Sequence, residues 1–460
     1  MLSEWGETTL EEVAEIIDSR HKTPVYSETG IPMVRVVDVN EGVLCLKDTK
    51  RVSDEVYSDF SRGRHTQIGD LIISRVGSYG NISYVNFSEK FCLGQNTAFI
   101  IPKINWRFLY YQMISTLVQN QIEQFVVGAV QKTISLKNIR QIAITLPPLP
   151  EQKAIAHILG SLDDKIELNR KMNETLEAMA QAMFKSWFVD FDPVIDNALA
   201  AGNTIPEELT ERAEQRKALG NKRKKLAPEI KKLFPSEFIF TDELGWIPKG
   251  WEAKTVGDLV DTVSKTYPLK SVSKVIFLNT GDIKEGKFLH NSKSDASSLP
   301  GQAKKSIQKG DILYSEIRPQ NKRFAFVHFD SSEYVVSTKL MVLRSKGEVD
   351  SLFTYFILKQ QDKIDYLQMM AESRSGTFPQ ITFDVLSKIQ IVIPEASILN
   401  DFIELLLRPI FEKSLSKDKE NENLSKLRDT LLPKLLSGEL KIENAEKLVD
   451  NIKLRSNTHE

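Results

Sequence analysis

The feature that most constrains this chain is an internal duplication. The block that runs from Trp5 to about Pro147 returns from Trp251 to about Pro394. The displacement is about 245 residues, whereas solenoid repeats have periods of roughly 20–50 residues. We therefore expect each copy to be a complete domain, and two similar domains suggest two similar tasks.

The two copies agree most closely at their turns and in their last segment. Asp38 and Gly42 of the first copy match Asp282 and Gly286 of the second. The longest ungapped match pairs Ile134, Leu136, Ile139, Ile142, Ile144 and Pro147 with Ile381, Phe383, Leu386, Ile389, Ile391 and Pro394. The match covers apolar positions, so it predicts a shared framework.

Length and composition predict two or three globular domains. The chain has 460 residues, of which 41% are hydrophobic and 27% charged. It contains no apolar run of the roughly 18 residues that a membrane helix needs, and its acidic start is not a signal peptide. Cys45 and Cys92 are too few for a disulfide framework, so we expect small core residues and a reducing cytosol.

Net charge gives little guidance about the partner. The formal charge is −1, whereas nucleic-acid binders usually carry a basic domain or stripe. The first copy is close to neutral and the second modestly basic. If DNA is the partner, the positive side chains must gather on one face.

The pattern within each copy predicts an α+β domain. A short amphipathic helix over 10–17, matched by 256–263, opens each copy. A helix over 108–125 and a last strand over 139–146 close the first copy. Further predicted strands cover residues 33–39, 71–74, 82–86 and 98–101. Strands and helices do not alternate strictly, which is typical of α+β folds.

A long helical pattern follows each domain, over 151–188 and from about 395 to 436. Each helix would span roughly 55–65 Å at about 1.5 Å per residue, and neither can bury its apolar seam alone. We expect the two helices to pair antiparallel as a coiled coil, with Asn169 setting the register. Pro409 is predicted to kink the second helix or delay its regular start. The alternative is an ordinary core helix in each domain. The seam residues are Ile155, Ile158, Leu162, Asn169, Leu176, Met179, Met183 and Trp187, then Phe402, Leu406, Ile410, Leu424, Leu427, Leu431 and Leu435.

The segment between the first helix and the second domain is charged. A helical stretch is predicted over 206–219, followed by a basic run at 222–225. A basic run can neutralise phosphates, but such runs are also common as solvated linkers.

Motifs for catalysis are weak. The Gly77–Gly80 segment lacks the Lys-Ser/Thr of a phosphate-binding loop and reads as a hairpin turn. His157 has no paired metal ligand and is expected on an exposed helix face. Asp70 and Asp311 each stand in a Gly-Asp turn before a strand. A nuclease would need a second acid and a lysine nearby, but the corresponding downstream positions hold Arg75 and Glu316, so we predict structural turns. No catalytic or metal-binding set can be assembled.

Polar loops are the strongest candidates for function, because they differ between two otherwise similar copies. Arg, Lys, Asn and Gln side chains suit base edges and phosphates, although exposed loop charges are equally expected on any surface. The candidates in the first copy are Arg20, His21, Lys22, Arg64, Arg75, Ser78, Tyr79, Gln95, Asn96 and Lys132. Lys132 belongs to a loop that also contains Gln131. Those in the second are Lys265, Tyr267, Asn279, Arg318, Gln320, Asn321, Lys322, Arg323, Lys339 and Arg374.

These features together resemble the specificity (S) subunit of type I restriction-modification systems. The resemblance covers nearly the whole chain. It rests on the stretches LPPLPEQKAI (146–155), LDDKIELN (162–169), FKSWFVDFDP (184–193), ELGWIPKGW (243–251) and LLPKLLSGEL (431–440).

The resemblance implies that the chain is not an enzyme by itself. It implies target recognition domains at 1–149 and 251–394, each reading half of a split double-stranded DNA target. Helical spacers at 150–191 and 395–440 would act as a ruler and dock two modification (methyltransferase) subunits. A linker at 192–250 and a tail at 441–460 complete the plan. Motor-nuclease restriction subunits would join the complex, and S-adenosylmethionine, ATP and Mg would be bound by the partners.

The second copy departs from the family pattern. It has Pro394-Glu395-Ala396-Ser397 in place of a Pro-x-x-x-Gln opening, so its helix is expected to start differently or to dock its partner less tightly. Two DNA-binding domains that contact the same side of a duplex need centres roughly 34–36 Å apart, which is one turn of the double helix. Removing heptads from both helices should therefore change the unspecified spacer between the half-sites.

Two other functions remain open. One is a stand-alone bivalent DNA-binding regulator with the same architecture. The other is a self-contained nuclease or methyltransferase, for which no cofactor or metal motif is found. A methyltransferase gene and a helicase-nuclease gene beside this one would exclude the regulator.

Overall fold

The computed structural model describes residues 5–128, 132–220, 226–347, 349–374 and 377–448. Contacts divide the chain into two compact units, 1–171 with 416–460, and 172–415. Each unit contains one repeat and a part of each long helix. The predicted basic run at 222–225 and Gln131 lie outside the described residues.

The first repeat is an α+β domain, as predicted. Its elements are β1 (Gly6–Thr9), α1 (Leu10–Val13), β2 (Ala14–Asp18), β3 (Ile31–Val34), β4 (Gly42–Val43), β5 (Lys50–Val52), α2 (Asp54–Ser61), β6 (Leu71–Ser74), β7 (Ile82–Tyr84), β8 (Cys92–Leu93), β9 (Thr97–Pro102), α3 (Trp106–Ile114), α4 (Thr116–Phe125), α5 (Leu136–Arg140) and β10 (Ala143–Leu146).

A five-stranded sheet with the order β2-β9-β6-β7-β4 forms the centre of this repeat. The strands β5-β3-β8 form a second sheet, and β1 pairs with β10. Every residue of β6 is buried because both faces of the strand are covered, which explains its uninterrupted apolar sequence.

The predicted helix over 10–17 is wrong after its first turn. Ile16 and Ile17 belong to β2, where they pair with Ile100 and Phe99. Apolar residues spaced like a helical face are also compatible with a strand, and the hydrogen bonds offered by β9 decide the outcome. Cys45 was predicted in the core but is exposed, whereas Cys92 is buried as expected.

Local capping breaks two other predicted elements. The helix over 108–125 is two helices, because the Ser115 side chain accepts a hydrogen bond from Val118 N and starts α4. The predicted strand over 139–146 begins with helix α5, which Ser135 caps in the same way. Only Ala143–Leu146 is extended.

An ordered linker and the second repeat follow the first long helix, α6 (Leu149–Phe188). Their elements are α7 (Asp192–Ala201), α8 (Thr210–Leu219), α9 (Pro228–Lys231), β11 (Phe238–Thr241), β12 (Gly245–Pro248), β13 (Glu252–Thr255), α10 (Val256–Leu259), β14 (Val260–Thr262), β15 (Lys274–Leu278), β16 (Ile283–Lys284), β17 (Lys287–Phe288), β18 (Ser294–Asp295), β19 (Ala303–Ser306), β20 (Ile312–Ser315), β21 (Phe324–Phe326), β22 (Tyr334–Ser337), β23 (Leu340–Ser345), α11 (Ser351–Leu358), α12 (Gln361–Arg374), α13 (Phe383–Ser387) and β24 (Gln390–Ile393).

The second repeat keeps the framework of the first but changes one edge. Its sheet β14-β23-β20-β21 corresponds to β2-β9-β6-β7, and β13-β24 corresponds to β1-β10. The parallel pair β3-β8 corresponds to β15-β22. In the second repeat β22 also pairs with β19, whereas in the first repeat β8 is packed by helix α2. This edge is therefore one place where the two domains differ.

The long helices pair antiparallel within the first unit. Asn169 of α6 contacts Glu420, and the earlier residue Asp163 contacts the later residue Arg428. The two helices therefore run in opposite directions. The predicted seam is confirmed here. Its buried members are Ile155, Ile158, Leu162, Asn169, Leu424, Leu431 and Leu435, with Leu427 partly buried.

The second unit also contains an antiparallel helix pair, but its seam is shifted. Phe184, Trp187 and Phe188 pack against Phe402, and Leu406 and Ile410 are partly buried there. Met179 is 44% exposed and lies outside the seam, where Ala180 is buried instead. Leu176 is half-buried, and Met183 packs against the same core. A straight α-helix drifts about 20° per heptad from a 3.5-residue period, which moves the buried face by one residue.

The second long helix is irregular near Pro409, as predicted. Helix α14 (Ala396–Phe402) continues through a π-helical segment (Ile403–Leu407) into α15 (Arg408–Leu436). Proline has no N–H to donate and its ring crowds the preceding turn, so the wider π segment accommodates it.

The two helix openings differ for a visible reason. In the first, the Gln152 side chain is buried, donates to Pro147 O at 2.9 Å and accepts from Asn105 N at 3.4 Å. The second opening has no glutamine at the corresponding position, where Leu399 is buried among apolar side chains.

Candidate nucleic-acid interface

The polar loops of the first repeat meet at one end of its central sheet. The register pairs Asp18 with Ala98 and Ser74 with Thr97, so the ends of β2 and β6 lie beside the start of β9. The loops that follow β2 and β6 and the turn before β9 therefore share an edge. Sequence alone could not predict this juxtaposition, because it depends on strand order.

Arg75 connects these loops. Its guanidinium lies 2.5 Å from the Asp18 carboxylate, which His21 also contacts at 2.8 Å. The Arg75 amide donates to Asn96 O at 2.8 Å, and Asn96 adopts a left-handed backbone with φ of 65°. Because the Arg75 side chain is only 11% exposed, it has a structural role whatever else it contacts.

Tyr79 and Lys132 form a second cluster at this edge. The Lys132 Nζ donates to Glu123 at 2.9 Å and to Tyr79 Oη at 3.2 Å. The bonds to Glu123 and Tyr79 raise the pKa of Lys132, and hydrogen bonds from Tyr79 and Lys132 lower the pKa of Glu123. The lysine charge is thus held at the surface by a carboxylate.

The remaining candidates at this edge are more exposed. Arg20 and Lys22 both pair with Asp59 of α2, at 2.5 and 3.3 Å. Ser78 is exposed at the tip of the β6–β7 hairpin, which confirms the predicted turn, and Gln95 is half-buried beside Asn96. DNA contact by any of these residues stays a prediction.

Arg64 does not join this edge. It donates to the buried Asp70 carboxylate at 2.8 Å, before β6 begins and thus at the other end of the strand. Asp70 also accepts from Gln67 N, and Asp311 accepts in the same way from Gln308 N. Arg344 neutralises Asp311 at 2.7 and 2.8 Å. The structural reading of both Gly-Asp turns is therefore confirmed.

The second repeat builds the corresponding edge with other side chains. Ser315 pairs with Leu340, so the loops after β20 and before β23 meet there. Glu316 donates its amide to Lys339 O at 3.1 Å, and the two side chains form an ion pair at 3.6 Å. The candidates exposed in the second repeat are Lys265, Arg318, Gln320, Asn321 and Arg374, with Lys322 half-buried.

Three candidates of the second repeat have structural roles. Tyr267 is buried, and its hydroxyl donates to Ser332 O at 2.7 Å, so it packs within the domain. Asn279 accepts from Thr280 N and opens a short 3-10 turn. Arg323 lies directly before β21 and donates to the carbonyl of Gly281 at 2.7 Å. This bond fastens the loop between β20 and β21 to the turn before β16.

The acids and the half-buried lysine at these edges were not identified from sequence. Asp18, Asp59 and Glu123 orient the cations of the first repeat, and Glu316 does so in the second. Lys305 of β19 donates to Thr338 O and Leu340 O at 3.0 and 2.8 Å. No sequence signal marks Lys305, since its partners are backbone carbonyls of another strand.

The arrangement defines a class of protein: two related α+β domains, each with divergent polar loops at one end of its sheet, joined to long paired helices. The family described as "Type I restriction modification DNA specificity domain" matches residues 2–178 and 248–408, which include both repeats. The chain belongs to this family of type I restriction-modification specificity subunits.

The chain is similar to several proteins that are named as specificity subunits of type I restriction enzymes. The HindI type I specificity subunit of Haemophilus influenzae is 40% identical over 182 residues, 39% of this chain and 39% of that protein. The MjaIX specificity subunit of Methanocaldococcus jannaschii is 26% identical over 360 residues, which cover 75% of this chain and 72% of its own length. A solved S subunit from M. genitalium is 15% identical, with a TM-score of 0.49 and coverage of 94% and 96%.

The described residues contain neither a membrane-spanning helix nor a metal-binding cluster. No helix in this part of the chain is long and apolar enough to span a membrane. Within the same residues, no group of three or more His, Cys, Asp or Glu side chains is arranged to hold a metal ion.

Proposed function

We propose that this chain is the DNA-recognition subunit of a type I restriction-modification complex. Each repeat binds one half of a split duplex target through the loops at one end of its central sheet. Phosphate contacts position such a protein on the duplex, and contacts with base edges specify the sequence. Two half-sites then require two related domains with different loops.

One observation carries this proposal: Arg75 and Glu316 occupy the same backbone position in the two repeats and differ in charge. Arg75 donates its amide to Asn96 O and accepts from Ile134 N, while Glu316 bonds in the same way to Lys339 O and Ile381 N. A common framework that holds different side chains with different partners at one loop position suits domains that bind different sequences.

The paired helices supply the docking platform in this proposal. They carry an exposed surface beside the buried seam, including Leu168 and Met172, whose exposed fractions are 54% and 37%. Two modification subunits bind these helices, and restriction subunits complete the complex. The chain itself catalyses nothing. S-adenosylmethionine, ATP and Mg are bound by the partner subunits.

Methylation mapping tests the proposal directly. The chain is expressed with its modification subunit in a host that lacks other methylation, and the genome is sequenced with detection of N6-methyladenine. We expect methylation at a split sequence, and replacement of the second repeat by that of another family member should change only one half. Methylation by this chain alone, or at an unsplit site, would refute the proposal.

Family membership favours this function over a stand-alone regulator. Purification separates the two functions: a specificity subunit is recovered with a methyltransferase partner and supports methyl transfer only in its presence. A regulator would bind its bipartite site with full affinity alone and would show no such partner.

A further inference from the structure

One loop of the second repeat contains two residues with a left-handed backbone. It joins β20 to β21 at the same end of the sheet as the other polar loops. Arg318 and Lys322 have φ angles of 44° and 52°, a region that residues with a Cβ rarely adopt. Among the described residues, six other than glycine have a positive φ, and two of the six lie in this loop.

The first repeat has a glycine at the position of Arg318. Gly77 donates its amide to Lys132 O at 3.0 Å, and Arg318 donates in the same way to Pro379 O at 3.1 Å. The two residues therefore correspond, and Gly77 has a φ of 71°.

The first repeat also has a glycine at the position of Lys322. Asn81 and Arg323 each accept a backbone hydrogen bond from the serine that ends the preceding strand, at 3.0 and 2.9 Å. The residues before them, Gly80 and Lys322, thus correspond, and Gly80 has a φ of 79°. Glycine adopts this conformation without crowding from a Cβ, so arginine and lysine here make the second loop less stable than glycine would.

The backbone of the second loop is held in place. Every N–H from residue 318 to residue 322 has an acceptor. Besides the bond to Pro379, Gln320 N donates to the Gln368 side chain at 3.2 Å, Asn321 N to Arg318 O at 2.8 Å and Lys322 N to Pro319 O at 2.8 Å. The loop is therefore a fixed frame for its side chains.

The side chains of this loop, in contrast, are available to a ligand. Arg318, Gln320 and Asn321 are exposed, and within the described part of the chain their side chains have no hydrogen-bond or ion-pair partner. In the first repeat, Arg75 and Lys132 are each paired with a carboxylate. A fixed backbone that presents unpaired polar groups suits recognition, because less conformational freedom is lost on binding.

A strained arginine in place of glycine requires a gain that only its side chain provides. A lysine or arginine on a flexible chain is sufficient to neutralise a phosphate. A guanine edge instead needs the planar guanidinium at a fixed place, where two N–H groups meet O6 and N7. Base recognition therefore accounts for both the rigid frame and the strain.

We propose that Arg318 reads a guanine of the second half-site by donating two hydrogen bonds to its O6 and N7 in the major groove. This inference rests on the proposed function and assigns one specificity-determining residue to it.

Arg318→Gly separates recognition from folding. The complete complex is tested by competition binding with duplexes that carry each base pair at each position of the second half-site. We expect the preference for G·C to fall about tenfold at one position. The melting temperature should not fall, because glycine relieves the strain. Unchanged discrimination, or an equal loss of affinity for target and scrambled duplexes, would overturn the proposal. A clear fall in melting temperature would also overturn it, since the arginine would then be retained for folding.

Arg318→Lys keeps the charge but removes the planar guanidinium. It should bind a scrambled duplex as the wild type does and lose discrimination at the same position. Preserved discrimination would contradict base recognition by Arg318.

Arg62→Gly is the matched control. Arg62 is also exposed and left-handed, with a φ of 51°, but it ends helix α2 of the first repeat. This variant should leave discrimination at the second half-site unchanged, and the same loss there would overturn the proposal. If the wild-type complex does not prefer its target to a scrambled duplex, the proposed function itself fails. If that preference is intact and both Arg318 variants discriminate as the wild type does, only the inference about Arg318 fails.

Discussion

Asn169, buried in the first unit, donates its side-chain amide to the Glu420 carboxylate at 3.0 Å and to Asn421 Oδ1 at 2.9 Å. Lys417 donates to the same Glu420 carboxylate at 3.0 Å, and Lys165 lies 3.5 Å from it. A polar layer thus interrupts the apolar seam of the helix pair. One buried polar layer can fix the register of paired helices, because any shift leaves its groups unsatisfied.

Asn169→Ala should lower the free energy of unfolding by about 1–3 kcal/mol, because it removes two hydrogen bonds from the buried Asn169 amide to the half-buried Glu420 and Asn421 side chains. Urea denaturation of the full chain followed by circular dichroism measures the change. Arg170→Ala, at the adjacent exposed position on the same helix, is the matched control and should have little effect. Equal midpoints for the two variants would contradict a stabilising role for the layer.

Acid should weaken the same layer. Burial acts to raise the pKa of Glu420, but the Lys417 hydrogen bond and the charges of Lys165 and Lys417 outweigh it, and the net shift is downward from 4.5. A lowered folded-state pKa contributes stability that is present above the unfolded value and is lost as pH falls through the folded value.

Glu420→Gln should therefore be less stable than the wild type at pH 6, and the difference should shrink below pH of about 4.5. Melting temperatures measured between pH 3 and 6 check this expectation. A difference that does not change with pH would show that the Glu420 charge is unimportant to the layer.

The Gly-Asp turns should differ in their dependence on arginine. Asp311 is fully buried and receives two hydrogen bonds from Arg344, whereas Asp70 receives one from Arg64. Arg344→Ala leaves a buried charge unpaired and should cost about 3 kcal/mol, and Arg64→Ala should cost less. Chemical denaturation measures both.

The double variant Arg344→Ala with Asp311→Asn provides the control for this comparison. It removes the charge together with its partner and should recover part of the lost stability. If the double variant is less stable than Arg344→Ala alone, the unpaired charge is not the cause.

Lys265→Ala should weaken binding to target and non-target duplexes alike. It should also reduce the slope of the logarithm of the binding constant against the logarithm of the salt concentration by about one. Lys265 is exposed in the loop region after β14, at the predicted DNA-binding end of the sheet. Lys309→Ala, exposed at the opposite end of β20, should leave the slope unchanged. Fluorescence anisotropy over a series of salt concentrations gives both slopes, and equal slopes would place the DNA elsewhere.

Several features followed from sequence because they depend on neighbouring residues. The repeat, the 40-residue helix α6 and the structural Gly-Asp turns needed only matched positions, periodicity and turn chemistry. The strand at 71–74 was predicted with the bounds that the structure shows, since its continuous apolar run is too short to form a helix. Asn169 was identified as a polar seam residue for the same reason.

Other features required the folded chain. Ile16 and Ile17 became a strand only because β9 offered backbone hydrogen bonds, and Met179 left the seam because the helix drifted from a heptad period. Arg64 and Arg75 look alike in sequence, yet they lie at opposite ends of β6 with different partners.

The sequence by itself determined that two similar domains alternate with two long helices, and that their polar loops differ. Tertiary structure decided which of those loops share a sheet edge and that the Arg318 backbone is bonded to Pro379 there. The reason is physical: helix periodicity and turn chemistry act over a few residues, whereas a sheet edge is assembled by hydrogen bonds between strands that lie far apart in the chain.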